Sequence, residues 1–160
     1  MRKILSVVAL PMCLTVAACS QSASGELPPF NAHYSVFELM EGPVAHAAEV
    51  YWGSVSTIVD ANGITENFPQ NDEEWEAVWA AGISLAEAGN LLMMSPRNRD
   101  EDDWMMWAAA LVDAGVKATD AAEAKSPERV LEEGEAVYNV CTGCHMQYIP
   151  DEGESGVPTI

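Results

Sequence analysis

Cys141, Thr142, Gly143, Cys144 and His145 form a C-x-x-C-H pentapeptide near the C-terminal end of a 160-residue chain. On a helix, residues three and four apart share a face, so both thiols and the imidazole project together. Two thioether bonds from Cys141 and Cys144 can then fix a porphyrin by its edge while His145 offers an axial nitrogen to iron, which makes the spacing that of covalent haem c attachment. Two other uses of the pair were weighed. A thioredoxin-like dithiol needs a β-α-β surround, and no such pattern is present. Half of a zinc site needs a second donor pair, and only His33 and His46 remain at a distance.

The other end of the chain sets the compartment in which such chemistry is expected. Arg2 and Lys3 precede an apolar stretch over residues 4–16 that is too short to span a bilayer, and small residues follow. This pattern predicts a secretion signal over residues 1–18. Val16, Ala17, Ala18 and Cys19 resemble the lipobox of bacterial lipoproteins, which implies cleavage before Cys19, its diacylation, and a periplasmic protein anchored to a bacterial membrane by lipid alone. The Ser-, Gln-, Ala- and Gly-rich stretch after Cys19 reads as a flexible tether over residues 19–32. Cys13 leaves with the signal, Cys19 takes lipid, and Cys141 and Cys144 take haem, so no disulfide is expected.

The chain has a formal net charge of −18, and loss of Arg2 and Lys3 takes it to −20. Nucleic acid is excluded as a partner, because phosphate binding needs a basic footprint. An acidic surface of this size is expected to keep the protein soluble, with the steering of basic redox partners toward it as the alternative role. The acidic tail over residues 151–160 has the composition of a disordered segment.

Between tether and tail, residues 33–150 read as one helical domain with no strand pattern. Apolar residues at three- and four-residue steps predict a first helix over residues 34–60, with Phe37, Met40, Val44, Tyr51 and Ile58 inward and Asn62 and Gly63 as its stop. Asn71 or Asp72 caps a second helix carrying Trp75, Val78, Trp79 and Leu85, which Ser95 and Pro96 end. A third opens after Asp100 with Trp104, Trp107, Ala108 and Leu111 on one face. Ser126 and Pro127 start a fourth, whose stripe of Val130, Gly134, Val137, Cys141 and Cys144 puts the haem side on the core side. The expected fold is all-α, an antiparallel four-helix bundle with haem c attached to the C-terminal helix.

Four helices with C-x-x-C-H near the end of the last resemble the class II c-type cytochromes, the group of cytochrome c-prime and its c-556-like relatives, over roughly residues 30–150. The resemblance implies that Cys141 and Cys144 are the thioether residues, that His145 is the proximal ligand, and that homodimers form, as relatives often do. Tyr148 matches the aromatic that often follows the motif, and Ile149 stands where a basic residue is frequent. In this family a first-helix residue covers the distal face of the haem. Here that residue is Met40, whose thioether on iron makes an electron carrier, whereas an apolar residue leaves iron open to nitric oxide or carbon monoxide. Val36 stands where gas-binding relatives often have Arg, and Val36, Phe37 and Met40 offer no acid or base, so an enzyme is not expected. Pro43 should kink the first helix beside the site. Arg97 and Arg99 are expected in a solvated loop, with pairing to haem propionates the alternative.

Overall fold

The computed structural model describes residues 30–149. The expectations for the signal segment, for Cys19 and for the acidic tail lie outside the described residues, as does most of the tether. Residues 31–149 form one compact unit of packed helices with a small two-stranded sheet. No helix among the described residues is long and apolar enough to cross a membrane.

The first helical rod is built in three pieces: α1 (Val36–Leu39), a π-helical turn (Met40–Val44) and α2 (Ala45–Gly53). Ser35 opens it with a capping box. Its hydroxyl accepts from the Glu38 N–H at 3.3 Å, and the Glu38 carboxylate accepts from the Ser35 N–H at 2.9 Å. The disturbance expected at Pro43 takes the form of the π turn. Proline has no N–H to give Leu39 and its ring crowds that carbonyl, so the backbone widens, and the Ala45 N–H reaches the Met40 carbonyl five residues back.

The rod ends at Gly53, earlier than the periodicity predicts, and a β-hairpin stands where the last helical turns were expected. Strand β1 (Ser56–Asp60) pairs antiparallel with β2 (Gly63–Asn67), with Ser56 opposite Asn67 and Asp60 opposite Gly63. The reason is local. Thr57, Ile58, Val59, Ile64 and Thr65 are β-branched and favour the pleated backbone. Asp60 accepts from the Asn62 N–H at 2.7 Å, and Gly63 takes φ +128°, which only glycine adopts without strain. Asn62 and Gly63 are therefore a hairpin turn instead of a helix stop, and Ile58 is exposed instead of inward.

Helices α3 (Asp72–Met93) and α5 (Pro127–Tyr148) start as the sequence predicts, and α4 (Asp103–Glu123) starts at Asp103, later than the expected opening after Asp100. The Asn71 side chain accepts from the Glu74 N–H at 3.0 Å, and Ser126 caps α5 with Pro127 in its first turn. At α4 one Asp100 carboxylate oxygen takes the N–H groups of Asp102 and Trp104, at 3.0 and 2.9 Å.

α3 and α4 form the tightest pair. A Cβ on Gly115 would overlap the backbone nitrogen of Ala86, and one on Gly89 would lie 2.5 Å from the Ala108 carbonyl oxygen. With Gly82 facing Thr119, these contacts run in opposite directions along the two helices, and α4 and α5 do the same, with Trp107 on Gly143 and Asp103 bonded to Gln147. Tyr51 is fully buried at the centre, its hydroxyl donating to the Ala118 carbonyl at 3.2 Å, among Leu85, Val78 and Val137. Two inward assignments are corrected here. Phe37 is 72% exposed, because the π turn changes the phase of the rod behind it, and Trp79 is 39% exposed at the margin of the α3 stripe.

The close approach of α3 and α4 gives a stability prediction. Gly115→Ala should cost about 1–3 kcal/mol through overpacking against the Ala86 backbone. Gly53→Ala, with open space around it, should stay within about 0.5 kcal/mol of the parent. Urea denaturation of the two variants checks the contrast.

Candidate functional site

The helices leave a cleft of about 890 Å³, its open mouth included, between the first rod, the α3–α4 pair and the C-terminal half of α5. From α5 it is lined by Val140, Cys141, Cys144 and His145, and from the first rod by Met40, Glu41, Val44, Ala45, Ala48 and Trp52. Leu92 of α3 and Trp104, Trp107, Ala108 and Leu111 of α4 complete the wall. Four residues singled out in the sequence, Cys141, Cys144, His145 and Met40, thus come together in one cavity. Cys19 lies outside the described residues.

Cys141 and Cys144 are free, half-buried thiols within helix α5. Burial pushes the Cys141 thiol above its ordinary pKa; burial, and then the neighbouring Cys141, does the same for Cys144. His145 is exposed at the cleft mouth, and Met40 is half-buried against the core. The π turn begins at Met40 itself, so the residue facing α5 across the cleft sits at the one place where the first rod is not regular.

The end of α5 is fixed on α4 by contacts that the sequence did not disclose. A Cβ at Gly143 would run into the six-membered ring of Trp107, so the indole lies against the motif's backbone. The Trp107 N–H donates to Gln147 Oε1 at 2.9 Å, and the Gln147 amide donates to Asp103 at 2.7 Å. At the next residue, the Tyr148 hydroxyl donates to the second oxygen of Asp100, and its ring meets Trp104 edge-on with centroids 5.0 Å apart. Tyr148 is thereby a clamp between helices. Asp100 serves α4 with one oxygen and α5 with the other.

Two polar residues in this region were missed or misplaced in the sequence. Glu41 is the one carboxylate among the cleft's lining residues; it is exposed at the rim, and its place beside Met40 was the available signal. Arg97, expected in a solvated loop, is 6% exposed, with Nε donating to the Tyr34 carbonyl at 3.0 Å and Nη1 to the Leu91 carbonyl at 3.3 Å. His46 and His33, the two histidines outside the motif, are exposed and do not line the cleft. Among the described residues no group of three or more His, Cys, Asp or Glu is gathered to hold a metal ion.

No protein-family model matches the chain, and neither curated proteins nor solved structures give a match. The functional reading therefore rests on residues and geometry.

The Asp100–Tyr148 clamp has a pH signature. The Tyr148 hydroxyl, then the Trp104 N–H, holds the Asp100 carboxyl below the usual carboxylate range. A depressed folded-state pKa contributes stability that is present above the unfolded value of about 4 and is lost as pH falls through the lower folded value. Tyr148→Phe should destabilise the protein at neutral pH, and its difference from the parent should shrink in acid below that window. Urea denaturation at neutral and acidic pH measures this.

Proposed function

We propose that the chain is a c-type cytochrome of the class II kind, an antiparallel four-helix bundle holding one haem c and carrying single electrons at the periplasmic face of a bacterial membrane, anchored through lipid on Cys19. The observation that carries the reading is the cleft lined at once by Cys141, Cys144 and His145 from α5 and by Met40 from the first rod.

The fit of this cleft to haem follows from its chemistry. Its walls are apolar and aromatic, as a porphyrin face requires, and its polar donors are a thiol pair, an imidazole and a thioether. Cys141 and Cys144 would hold the group covalently, and His145 and Met40 would ligate its iron. Haem supplies reversible one-electron chemistry at iron, and a His/Met pair raises its reduction potential. The residues of this chain do the rest. Val44, Ala48, Leu92 and Leu111 give the cleft an apolar wall, while the Trp107–Gly143 contact and the Tyr148–Asp100 bond hold the end of α5 against α4. Raised thiol pKa values argue against a reactive dithiol, which needs a thiolate near neutral pH.

The acidic surface suits redox partners with basic surfaces, through faster encounter. Two copies of the chain are a further possible assembly, and nucleic acid has no place in the reading.

The test is spectroscopic. Pyridine haemochrome analysis of protein made in a host with intact cytochrome c maturation should give haem c with two thioethers, and a haem-free product rejects the proposal. The oxidised protein should show the sulfur-to-iron charge-transfer band, and Met40→Ala should abolish it. A high-spin resting spectrum unchanged by that substitution would assign an open sixth position and a gas-binding role.

A further inference from the structure

Near the N-terminal end of the first rod a second pocket of about 590 Å³, its open side included, is lined by residues 32–36 together with Pro96, Arg97 and Arg99. It shares no lining residue with the cleft. Its electrostatics run against the rest of the molecule. In a chain with 25 acidic and 7 basic residues it draws two arginines and His33 to one place.

Among the described residues neither arginine has a carboxylate within salt-bridge distance. The one ion pair among the described residues is Lys125 with Asp72. The neighbouring acids are already engaged: Glu38 takes the Ser35 N–H and hydroxyl, and Asp100 takes two backbone N–H groups and the Tyr148 hydroxyl. Arg97 is more than nine-tenths buried, with Nε and Nη1 spent on the carbonyls of Tyr34 and Leu91. Its Nη2 has no hydrogen-bond partner among the described residues, and no side-chain nitrogen that is both buried and unpartnered remains, so Nη2 keeps access to solvent. A guanidinium taken out of water without a countercharge is costly, and carbonyl dipoles offset only part of that cost.

We propose that this pocket binds a phosphate-class oxyanion, with Arg97 Nη2, the Arg99 guanidinium and the His33 imidazole as its donors. Arg99 suits such an ion because its planar donors match two oxygens at once, and Arg97 adds the one nitrogen that its carbonyl partners leave over. The ion has two sources, free phosphate or the headgroup of an anionic phospholipid. The proposal does not depend on the haem reading, because the pocket and the cleft have separate walls.

The test uses the mature, haem-loaded protein. Inorganic phosphate should bind by isothermal titration calorimetry, and Arg99→Gln should weaken that binding about tenfold, an equilibrium change of ~1.4 kcal/mol. His33→Gln should weaken it to a smaller degree. Neither residue is part of the core, so thermal unfolding of both variants should match the parent, which separates lost binding from lost fold. Binding to phosphatidylglycerol vesicles but not to phosphatidylcholine vesicles, with no response to free phosphate and the same loss in Arg99→Gln, assigns the headgroup as the source. Absence of binding to phosphate and to both vesicles overturns the proposal. Phosphate binding that appears only when haem is absent also overturns it, because the pocket then belongs to the haem propionates.

Discussion

An indole lying on a glycine is the contact on which the arrangement of the site depends. Trp107 occupies the space that any side chain at position 143 would need, so α4 and α5 approach with nothing between the ring and the motif's backbone. Cys141, Cys144 and His145 are on the same turns of α5 as Gly143, and their direction into the cleft is inherited from this contact. Dispersion attraction between a flat ring and bare backbone is summed over many short contacts, and it leaves little room to slide. The bonds from Gln147 to Trp107 and Asp103, and from Tyr148 to Asp100, then stop α5 from turning about its own axis.

The same economy of side-chain volume recurs between α3 and α4, where Gly89 and Gly115 admit the partner backbone. The result is an uneven bundle. The glycine-lined pair is tight, whereas the first rod meets α5 through Trp52, whose indole N–H donates to the Gly134 carbonyl at 2.9 Å, and the space beside that contact becomes the cleft. Large residues on the walls, Trp52, Trp104, Trp107 and Leu111, frame that space without filling it. An unfilled space in a protein of this size forgoes packing energy, and this one is lined by two thiols, an imidazole and a thioether.

Much of this was legible in the residues, for reasons that differ by element. Asn71 and the Ser126–Pro127 pair marked helix starts because caps act locally, through one or two hydrogen bonds each. The stripe from Val130 to Cys144 was legible because α5 runs regularly through it, and the structure duly places those residues toward the core and the cleft. The first helix was misread at both ends. Ile58 kept a helical spacing by coincidence, while the β-branched run around Asn62 and Gly63 carried a hairpin signal that outweighs it. Phe37 was placed inward by a count that assumed unbroken 3.6-residue turns. Arg97 was invisible for another reason: a buried arginine satisfied by carbonyls sixty-three and six residues away leaves no mark on its own segment.

The π turn at Met40–Val44 takes in one residue more than an α-helical turn would. In effect the rod behaves as two short screws joined with an offset, so the face that α2 turns toward the core is not continued by the residues before Met40. The position at the joint is thus freed from the rotational pattern of both halves, and its aim is decided by the insertion and not by the helix. A chain one residue shorter in this segment could keep every cap and every buried alanine of α2, yet it would point a different side chain across the cleft.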